Sequence, residues 1–275
     1  MMQREVLVIE AGRTERHYWA DLWRYRELFY FLAWRDLLVR YKQTAIGVAW
    51  AVLRPVLTMV VFTLVFGKLA KLPSDNVPYP ILVFAALLPW QLFASAFSEA
   101  GNSLISNASM ISKVYFPRLI IPAGAVIVSS VDFLVSLVIL AALMAWYDFP
   151  PDWRILALPL FVLIALAAAL GAGIWTAALN VRYRDVRFII PFVVQLGLYA
   201  SPVGFSSSLI PEQWRLLYSV NPMVGVIDGF RWAILGGGTP LYWPGILLSF
   251  AFIVVVLATG IRYFRATEKS FADVI

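Results

Sequence analysis

The strongest constraint on this chain is a series of apolar stretches, each long enough to cross a lipid bilayer. A transmembrane helix needs about 20 consecutive, mostly apolar residues. Five stretches meet this length: 47–67, 81–100, 119–147, 155–180 and 243–264. A sixth stretch, 188–203, is shorter and contains Pro191. The sequence therefore predicts six transmembrane helices.

A broken apolar segment, 205–235, lies between the fifth and sixth predicted spans. Pro211, the pair Asn221-Pro222 and several glycines interrupt it. Such backbone is tolerated at membrane depth only where protein or water shields its polar groups. We therefore expect re-entrant or interfacial short helices here, within an all-α polytopic membrane protein. The chain is 61% hydrophobic and 14% charged, whereas soluble domains are about a quarter charged.

The basic residues are distributed unequally between the two ends of the predicted spans. Sixteen of the 22 lysines and arginines fall on the side that carries both termini, five fall on the other side, and Arg54 lies inside the first span. Lys and Arg are enriched on the cytoplasmic side of membrane proteins. We therefore predict cytoplasmic termini, with a transmembrane domain at 44–264 and a cytoplasmic tail at 265–275. This asymmetry also explains the net charge of +6 without a nucleic-acid partner.

The residue inventory excludes several classes of site. The chain has no cysteine and a single histidine, His17, so thiol catalysis is excluded and a histidine-based metal site is not expected. Gly67-Lys68 lacks the other residues of a phosphate-binding loop. We expect no metal or cofactor in this chain, and any ATP and magnesium would be bound by a separate subunit.

The N-terminal region divides into a tail, 1–22, and an amphipathic helix, 23–43, which abuts the first span. Aromatic and basic residues of this type favour a helix that lies in the headgroup plane, in contact with membrane lipids. Asp36 and Arg40 are spaced as an i,i+4 ion pair. A generic basic anchor is the alternative interpretation. The residues that define this interfacial helix are Trp34, Arg35, Asp36, Arg40 and Tyr41.

Three ionisable residues fall in or near the predicted spans. Asp132 lies near the middle of the third span, where a carboxylate costs roughly 2.5–3.5 kcal/mol. A proton relay is one possibility, but we favour a structural acid that is hydrogen-bonded to Ser129 and Ser136. In the broken segment, Asp228 and Arg231 are spaced to pair with each other.

The fourth span carries a small residue at every fourth position. This face, formed by Ala165, Ala169, Gly173 and Ala177, permits close helix approach. We expect it to pack within the subunit, although a subunit or channel seam is the alternative.

Four sequence motifs together resemble a known family. They are RDLLVRYKQTAIGVAWAVLRP at 35–55, SKVYFPRLIIP at 112–122, NVRYRDVRF at 180–188 and NPMVGVIDGFRWAIL at 221–235. In this order they resemble the signatures of type-2 ABC exporter permeases of the O-antigen, capsule and teichoic acid group. The resemblance implies a bacterial inner-membrane location and two permeases with two separate ABC ATPases. It also implies six spans, an interfacial N-terminal helix and a broken segment before the last span.

In that family, the loop between the second and third spans carries the coupling helix that docks into the ATPase. Here the loop is 102–118, and its helical stripe is expected to be exposed. A solvated connector is the alternative. The predicted coupling residues are Leu104, Ala108, Ile111, Tyr115 and Arg118.

Aromatic residues suggest a path for a sugar polymer, because flat rings pack against sugar faces and tolerate polar edges. The resemblance implies that the first and fifth spans line the conduit. The resulting candidates are Trp50, Phe62, Phe192 and Tyr199. Interfacial aromatic belts are the alternative for these residues.

These observations predict the membrane subunit of an ATP-driven exporter of lipid-linked polysaccharide, a transport subunit and not an enzyme. We expect a homodimer to form the conduit. A type-2 ABC exporter of small drugs or lipids is one alternative, and a polytopic membrane enzyme that acts on lipid-linked sugars is another. The enzyme would require clustered acids or a histidine at a membrane face, which the sequence lacks.

Overall fold

The computed structural model describes residues 18–42, 47–74, 77–236 and 241–274, and these residues form helices joined by short connections. The predicted all-α class is confirmed, and most of the predicted N-terminal tail, residues 1–17, lies outside the described residues. The α-helices in chain order are α1 Tyr18–Arg24, α2 Arg26–Lys42, α3 Gly47–Phe62, α4 Tyr79–Ser106, α5 Ala108–Ile111, α6 Ile120–Trp146, α7 Leu158–Arg182, α8 Val186–Ala200, α9 Glu212–Tyr218, α10 Pro222–Leu235, α11 Trp243–Thr267 and α12 Phe271–Val274.

Within the described residues, five helices are long and apolar enough to cross a membrane. The helix α8, at the position of the predicted fifth span, has 15 residues. At 1.5 Å per residue it is about 22 Å long, shorter than the hydrocarbon core of about 30 Å. The total of six spans, with α8 as the fifth, therefore stays a prediction. The five span-length helices are Ala49–Leu69, Tyr79–Ser106, Ile120–Trp146, Trp153–Arg182 and Trp243–Ser270.

Local sequence explains where several helices begin. Proline stands in the first turn of α4, α7, α10 and α11, where its missing N–H costs no helical hydrogen bond. The side chain of Asn221 caps α10 by accepting from the Met223 amide at 3.0 Å. The first span continues beyond α3 as a π-helix, Thr63–Leu69.

Helices α4, α6, α7, α10 and α11 form the core of the molecule, which we call the inner bundle. The helix α4 lies at its centre, and 78% of the residues in its most apolar 18-residue stretch are buried. A Cβ atom on Gly173 would lie 2.5 Å from the Cβ of Ala100, and one on Gly171 would lie 3.0 Å from the Leu257 backbone. The small-residue face of the fourth span therefore packs within the subunit, as expected.

Helices α2, α3 and α8 surround the inner bundle as a peripheral layer. The helix α2 packs on α6, α3 packs on α4 and α6, and α8 packs on α4 and α7. The first span, Ala49–Leu69, which begins in α3, contrasts with α4, because only 17% of the residues in its most apolar 18-residue stretch are buried. The outward faces of this layer are therefore available to lipid, to water or to another chain.

A second apolar cluster lies at the end of the bundle where the described N-terminal and C-terminal segments meet. We call it the terminal cluster. It joins α1, α5, α12 and the ends of α7 and α11, and its members include Tyr18, Leu104, Ile111, Phe264 and Phe271.

Candidate functional site

The helix α2, which the sequence predicts to be interfacial, is attached to the inner bundle by a polar cluster at Asp132 of α6. The Arg40 guanidinium lies 2.8 Å from one Asp132 carboxylate oxygen, and the Tyr41 hydroxyl donates to the other. Glu99 of α4 lies 3.9 Å from the same guanidinium. The two charged side chains of the ion pair are only 32% and 26% exposed, so the cluster is half shielded from water.

This cluster corrects two sequence-based predictions. Asp36 pairs with Arg35 at 2.7 Å, and Arg40 reaches Asp132 instead of forming the expected i,i+4 pair. The Ser136 hydroxyl donates to the Asp132 backbone carbonyl and not to its carboxylate, while Ser129 donates to the Ala125 carbonyl. The carboxylate of Asp132 therefore faces α2, because charged donors on a neighbouring helix are stronger partners than neutral hydroxyls.

Burial and the contact with Asp132 change the acidity of Tyr41. Burial is the larger cause, followed by the hydrogen bond to Asp132, and together they raise the pKa of Tyr41 to about 12. The phenol is therefore protonated at any physiological pH and acts as a constant hydrogen-bond donor.

Several aromatic and apolar side chains of α2 are exposed. Trp34 is exposed, and its ring stacks on Tyr30 with centroids 6.4 Å apart. Arg35 also donates to the Asn107 side chain at 2.7 Å, which anchors the middle of α2 beside the end of α4. The helix α2 is thus anchored at its middle and at its last turn while several of its aromatic side chains stay exposed, and its position at the membrane surface stays a prediction.

The predicted coupling loop is folded more tightly than its sequence stripe indicates. Leu104 and Ile111 are buried in the terminal cluster, so the prediction that they form an exposed docking face is wrong. Tyr115 is exposed, and so are its neighbours Val114 and Ile105. The helix α5, which carries Ala108, has only four residues, so the loop turns Leu104 and Ile111 inward against the C-terminal segment.

The C-terminal segment closes over this loop through Glu268 and Arg265, which lie outside the sequence motifs. The Tyr18 hydroxyl donates to the Glu268 carboxylate at 3.1 Å, and Arg118 donates to the Glu268 backbone carbonyl. The Arg265 guanidinium lies 4.5 Å from the Tyr18 ring centroid. Burial and the nearby charge of Glu268 raise the pKa of Tyr18 above its ordinary value. The charged pattern of the predicted tail carried no signal for this contact.

The four predicted conduit residues do not share one environment. Trp50, Phe192 and Tyr199 are exposed on the peripheral layer. Phe62 is buried beside Phe66, with ring centroids 5.3 Å apart, so its prediction as a lining residue is wrong. It faces inward because it lies at the end of α3, where the π-helix turns against the inner bundle.

Two polar residues on the same exposed faces were not among the predicted conduit residues. Arg54 of α3 lies one helical turn from Trp50, and Gln195 of α8 lies one turn from Tyr199 and Phe192; both are exposed. Their signal in the sequence is the presence of a charge and an amide inside otherwise apolar helices.

At the opposite end of the bundle, Arg231 stabilises the broken segment after α8. The side chain is only 2% exposed. Its guanidinium donates to the carbonyls of Phe205 at 2.7 Å, Val203 at 3.1 Å and Leu82 at 3.4 Å. The predicted partner, Asp228, interacts with Arg231 electrostatically and accepts a hydrogen bond from Ser207.

The Tyr79 hydroxyl completes this arrangement by donating to the Gly204 carbonyl at 2.6 Å. Carbonyls that a broken helix leaves free are costly in an apolar environment. The arginine and the tyrosine therefore make the irregular backbone tolerable, which is the shielding that the sequence required.

The comparison with known families decides the classification. The sequence profile described as ABC-2 type transporter matches residues 27–235, which is most of the chain. The chain belongs to the ABC-2 type transporter family. The match extends from α2 to α10, so it includes the Asp132 cluster and Arg231. It leaves α11 and the C-terminal segment outside.

Individual ABC-2 relatives align along nearly the whole chain. The O-antigen export system permease protein RfbA of Myxococcus xanthus is 29% identical over 258 residues, which are 93% of this chain and 98% of the relative. A protein of the same name from Klebsiella pneumoniae is 27% identical over 88% of this chain and 92% of the relative. The polysialic acid transport protein KpsM of Escherichia coli is 21% identical over 86% and 92%.

Within its described residues, this ABC-2 chain contains five apolar helices of span length. Within the described residues, no group of three or more metal-ligating side chains could hold a metal ion. The polar side chains described above join helices and connections to one another.

Proposed function

We propose that this chain is the transmembrane subunit of an ATP-driven exporter that moves a lipid-linked, O-antigen-like polysaccharide across the cytoplasmic membrane of a bacterium. The observation that carries the proposal is its similarity to O-antigen export permeases, with 98% of one relative's length covered. The polysialic acid transport protein KpsM, a further relative, supports the same class of substrate. A separate ABC ATPase binds ATP and magnesium and supplies the energy.

The conduit is formed by two copies of the chain. Arg54 and Gln195 lie on exposed faces of α3 and α8, and a charge facing hydrocarbon costs roughly 2.5–3.5 kcal/mol at the bilayer centre. A second copy and a water-filled path between the copies remove this cost. Trp50, Phe192 and Tyr199 then present rings to the sugar chain, as aromatic faces pack well against sugars.

The ATPase docks at the end of the molecule that carries the terminal cluster. Ile105 at the end of α4, and Val114 and Tyr115 on the loop after it, are exposed side chains. The buried residues Leu104 and Ile111 support this loop from inside. In this proposal the helices cross the membrane six times, with α8 as the fifth span, and both termini lie in the cytoplasm.

Polysaccharide export is tested in cells that make the polymer and that produce this chain together with the ATPase encoded by the neighbouring reading frame. Surface polysaccharide and intracellular polymer are measured by immunoblot, with an ATPase-inactivated strain as control. We expect loss of the chain to trap polymer inside. Polymer that reaches the surface equally well without the chain would contradict the proposal. Loss of drug or lipid export with normal surface polymer would favour a small-substrate exporter.

Docking is tested by co-purification of the ATPase with tagged permease. Tyr115→Asp and Val114→Asp should reduce ATPase recovery, because each places a charge in an apolar contact. Leu209→Asp is the matched control, since Leu209 is an exposed apolar residue in the connection between α8 and α9. Full ATPase recovery with both loop variants would exclude this loop as the docking surface.

The orientation is tested by single-cysteine labelling, which is direct because the chain contains no cysteine. A cysteine at Ser270 should react with an impermeant maleimide only after the cells are permeabilised. Rapid labelling in intact cells would reverse the proposed topology.

A further inference from the structure

The attachment of α2 and α3 to the inner bundle differs from the packing inside that bundle. Of the residues of α2, all of which the structure describes, Leu32 alone is fully buried. Few residues of the first span, which begins in α3, are buried. Apolar packing therefore holds this pair of helices weakly, and polar contacts fix its position.

The most specific of these polar contacts converge on one carboxylate. Asp132 receives the Arg40 guanidinium at 2.8 Å and the Tyr41 hydroxyl, both from the last turn of α2. Arg40, Tyr41 and Asp132 are only partly buried, so these contacts can break without opening a packed core. A contact of this kind is reversible, whereas an apolar joint would require large surfaces to become exposed.

A second carboxylate stands within reach of the same arginine. Glu99 of α4 lies 3.9 Å from the Arg40 guanidinium and is exposed. Arg40 is therefore placed between a close partner on α6 and a looser partner on α4. This is the arrangement expected of an element with two positions, since a switch requires two states of similar free energy.

We propose that Asp132 is the catch of a latch that holds the interfacial helix and the first span against the inner bundle at rest. Arg40 and Tyr41 are the positioning residues that engage it. The transport stroke opens the latch, and Arg40 then keeps Glu99 as its partner. This inference rests on the proposed function, because opening of the first span is what would admit the substrate to the conduit.

The first test locks the latch covalently. In the cysteine-free chain, Tyr41→Cys and Asp132→Cys are combined, and the purified permease–ATPase complex is treated with a short bis-maleimide after reconstitution. Before treatment the double variant lacks the contacts of Arg40 and Tyr41 with the Asp132 carboxylate. After treatment a covalent cross-link, which we call the tie, joins α2 to α6. We expect the tie to abolish ATP-driven polysaccharide transport into vesicles. The two single-cysteine variants, treated with the same reagent, are the controls.

The second test releases the latch without cross-linking. Asp132→Asn and Arg40→Gln should raise the ATP hydrolysis rate in the absence of polysaccharide by about two- to fivefold, since a half-exposed ion pair shifts a two-state equilibrium by that factor. The charge-swapped pair Arg40→Asp with Asp132→Arg should return the rate toward that of the wild type. Asp148→Asn, in the turn that follows the opposite end of the same helix, is the matched control.

The outcomes separate the latch from the proposed function. Transport by the cross-linked complex at the uncross-linked rate would overturn the latch. So would single variants that lower protein abundance but leave hydrolysis per complex unchanged, because that is the result of a purely structural contact. If the wild-type complex hydrolyses ATP but moves no polysaccharide, the proposed substrate is wrong, and the hydrolysis assay still tests the latch.

Discussion

The inside of the inner bundle and its boundary with the peripheral layer each contain a charged side chain predicted to lie in or near the membrane, and the two are held differently. Arg231, in the inner bundle, is almost fully buried and donates to backbone carbonyls of its own fold. Asp132, at the boundary with the peripheral layer, is half exposed and is bound by side chains of α2. One contact fixes the backbone, and the other joins two helices through their side chains.

The difference follows from what each partner can lose. Backbone carbonyls of the segment after α8 are fixed in place, so removal of Arg231 leaves them unsatisfied in an apolar environment. Arg40, Tyr41 and Asp132 are only partly buried, so their contacts can break without opening a packed core. Burial therefore distinguishes a structural charge from one suited to a moving part, although both appear as charges within apolar sequence.

The largest effect is expected from Arg231→Met. The substitution removes the side-chain donor from the Val203 and Phe205 carbonyls, which lie outside the helices, and an unsatisfied buried group costs about 1–3 kcal/mol. We expect a loss of at least about 2 kcal/mol in the free energy of unfolding, measured by denaturation in detergent. Arg54→Met is the matched control, because Arg54 is exposed. Equal stability of the two variants would remove the contrast between the regions.

A second large effect is expected where α4 and α7 approach most closely. In Gly173→Ala the new Cβ would lie 2.5 Å from that of Ala100, and such overpacking costs about 1–3 kcal/mol. Gly124→Ala is the control, since its Cβ would meet no atom within 4 Å. That variant should be stabilised by about 0.4–1 kcal/mol. Thermal unfolding in detergent measures both, and a stable Gly173→Ala would contradict rigid packing in the inner bundle.

A smaller effect is expected at the boundary with the peripheral layer. A double-mutant cycle with Arg40→Gln and Asp132→Asn isolates the coupling free energy of the ion pair. We expect no more than about 1 kcal/mol, because both side chains are partly hydrated. The same denaturation assay measures it. A coupling as large as the loss expected for Arg231→Met would mean that the peripheral layer is fixed as firmly as the inner bundle.

The smallest effect is a pH dependence at Tyr41. Its folded-state pKa is raised to about 12 from 10.0, so the folded state holds the phenol proton more tightly. The resulting stability is fully present below pH 10 and is lost as the pH rises to about 12. The stability difference between wild type and Tyr41→Phe should therefore shrink across this window. Tyr30→Phe, on the exposed face, is the control, and a constant difference would show that the hydrogen bond is not linked to this titration.

Parts of the fold could be predicted from local sequence. Apolar length placed the ends of the five span-length helices to within six residues, and most closely for 119–147 against α6 Ile120–Trp146. The small residues around Gly173 indicated the close approach of α7 to another helix. These features depend on properties of consecutive residues, which periodicity reports directly.

The candidate site was less predictable. The stripe through Leu104 and Ile111 was correctly identified as apolar, but its burial depends on Phe271 and the rest of the C-terminal segment. Phe62 has the same aromatic character as Trp50, yet only Trp50 faces outward. A residue's own type and spacing do not specify which segment covers it, so exposure could not be assigned from the sequence.

The sequence by itself determined that this chain is helical, apolar over span lengths and asymmetric in its basic residues, because hydrophobic burial and charge bias act on each residue separately. The tertiary structure decided which polar groups meet. Tyr41 and Asp132 are 91 residues apart, and Tyr18 and Glu268 are 250 apart. Such pairs form only when packing brings their helices together, and serines one turn from Asp132 were the nearer choice in sequence. The partner of a charge inside the membrane is therefore set by the helix that packs against it.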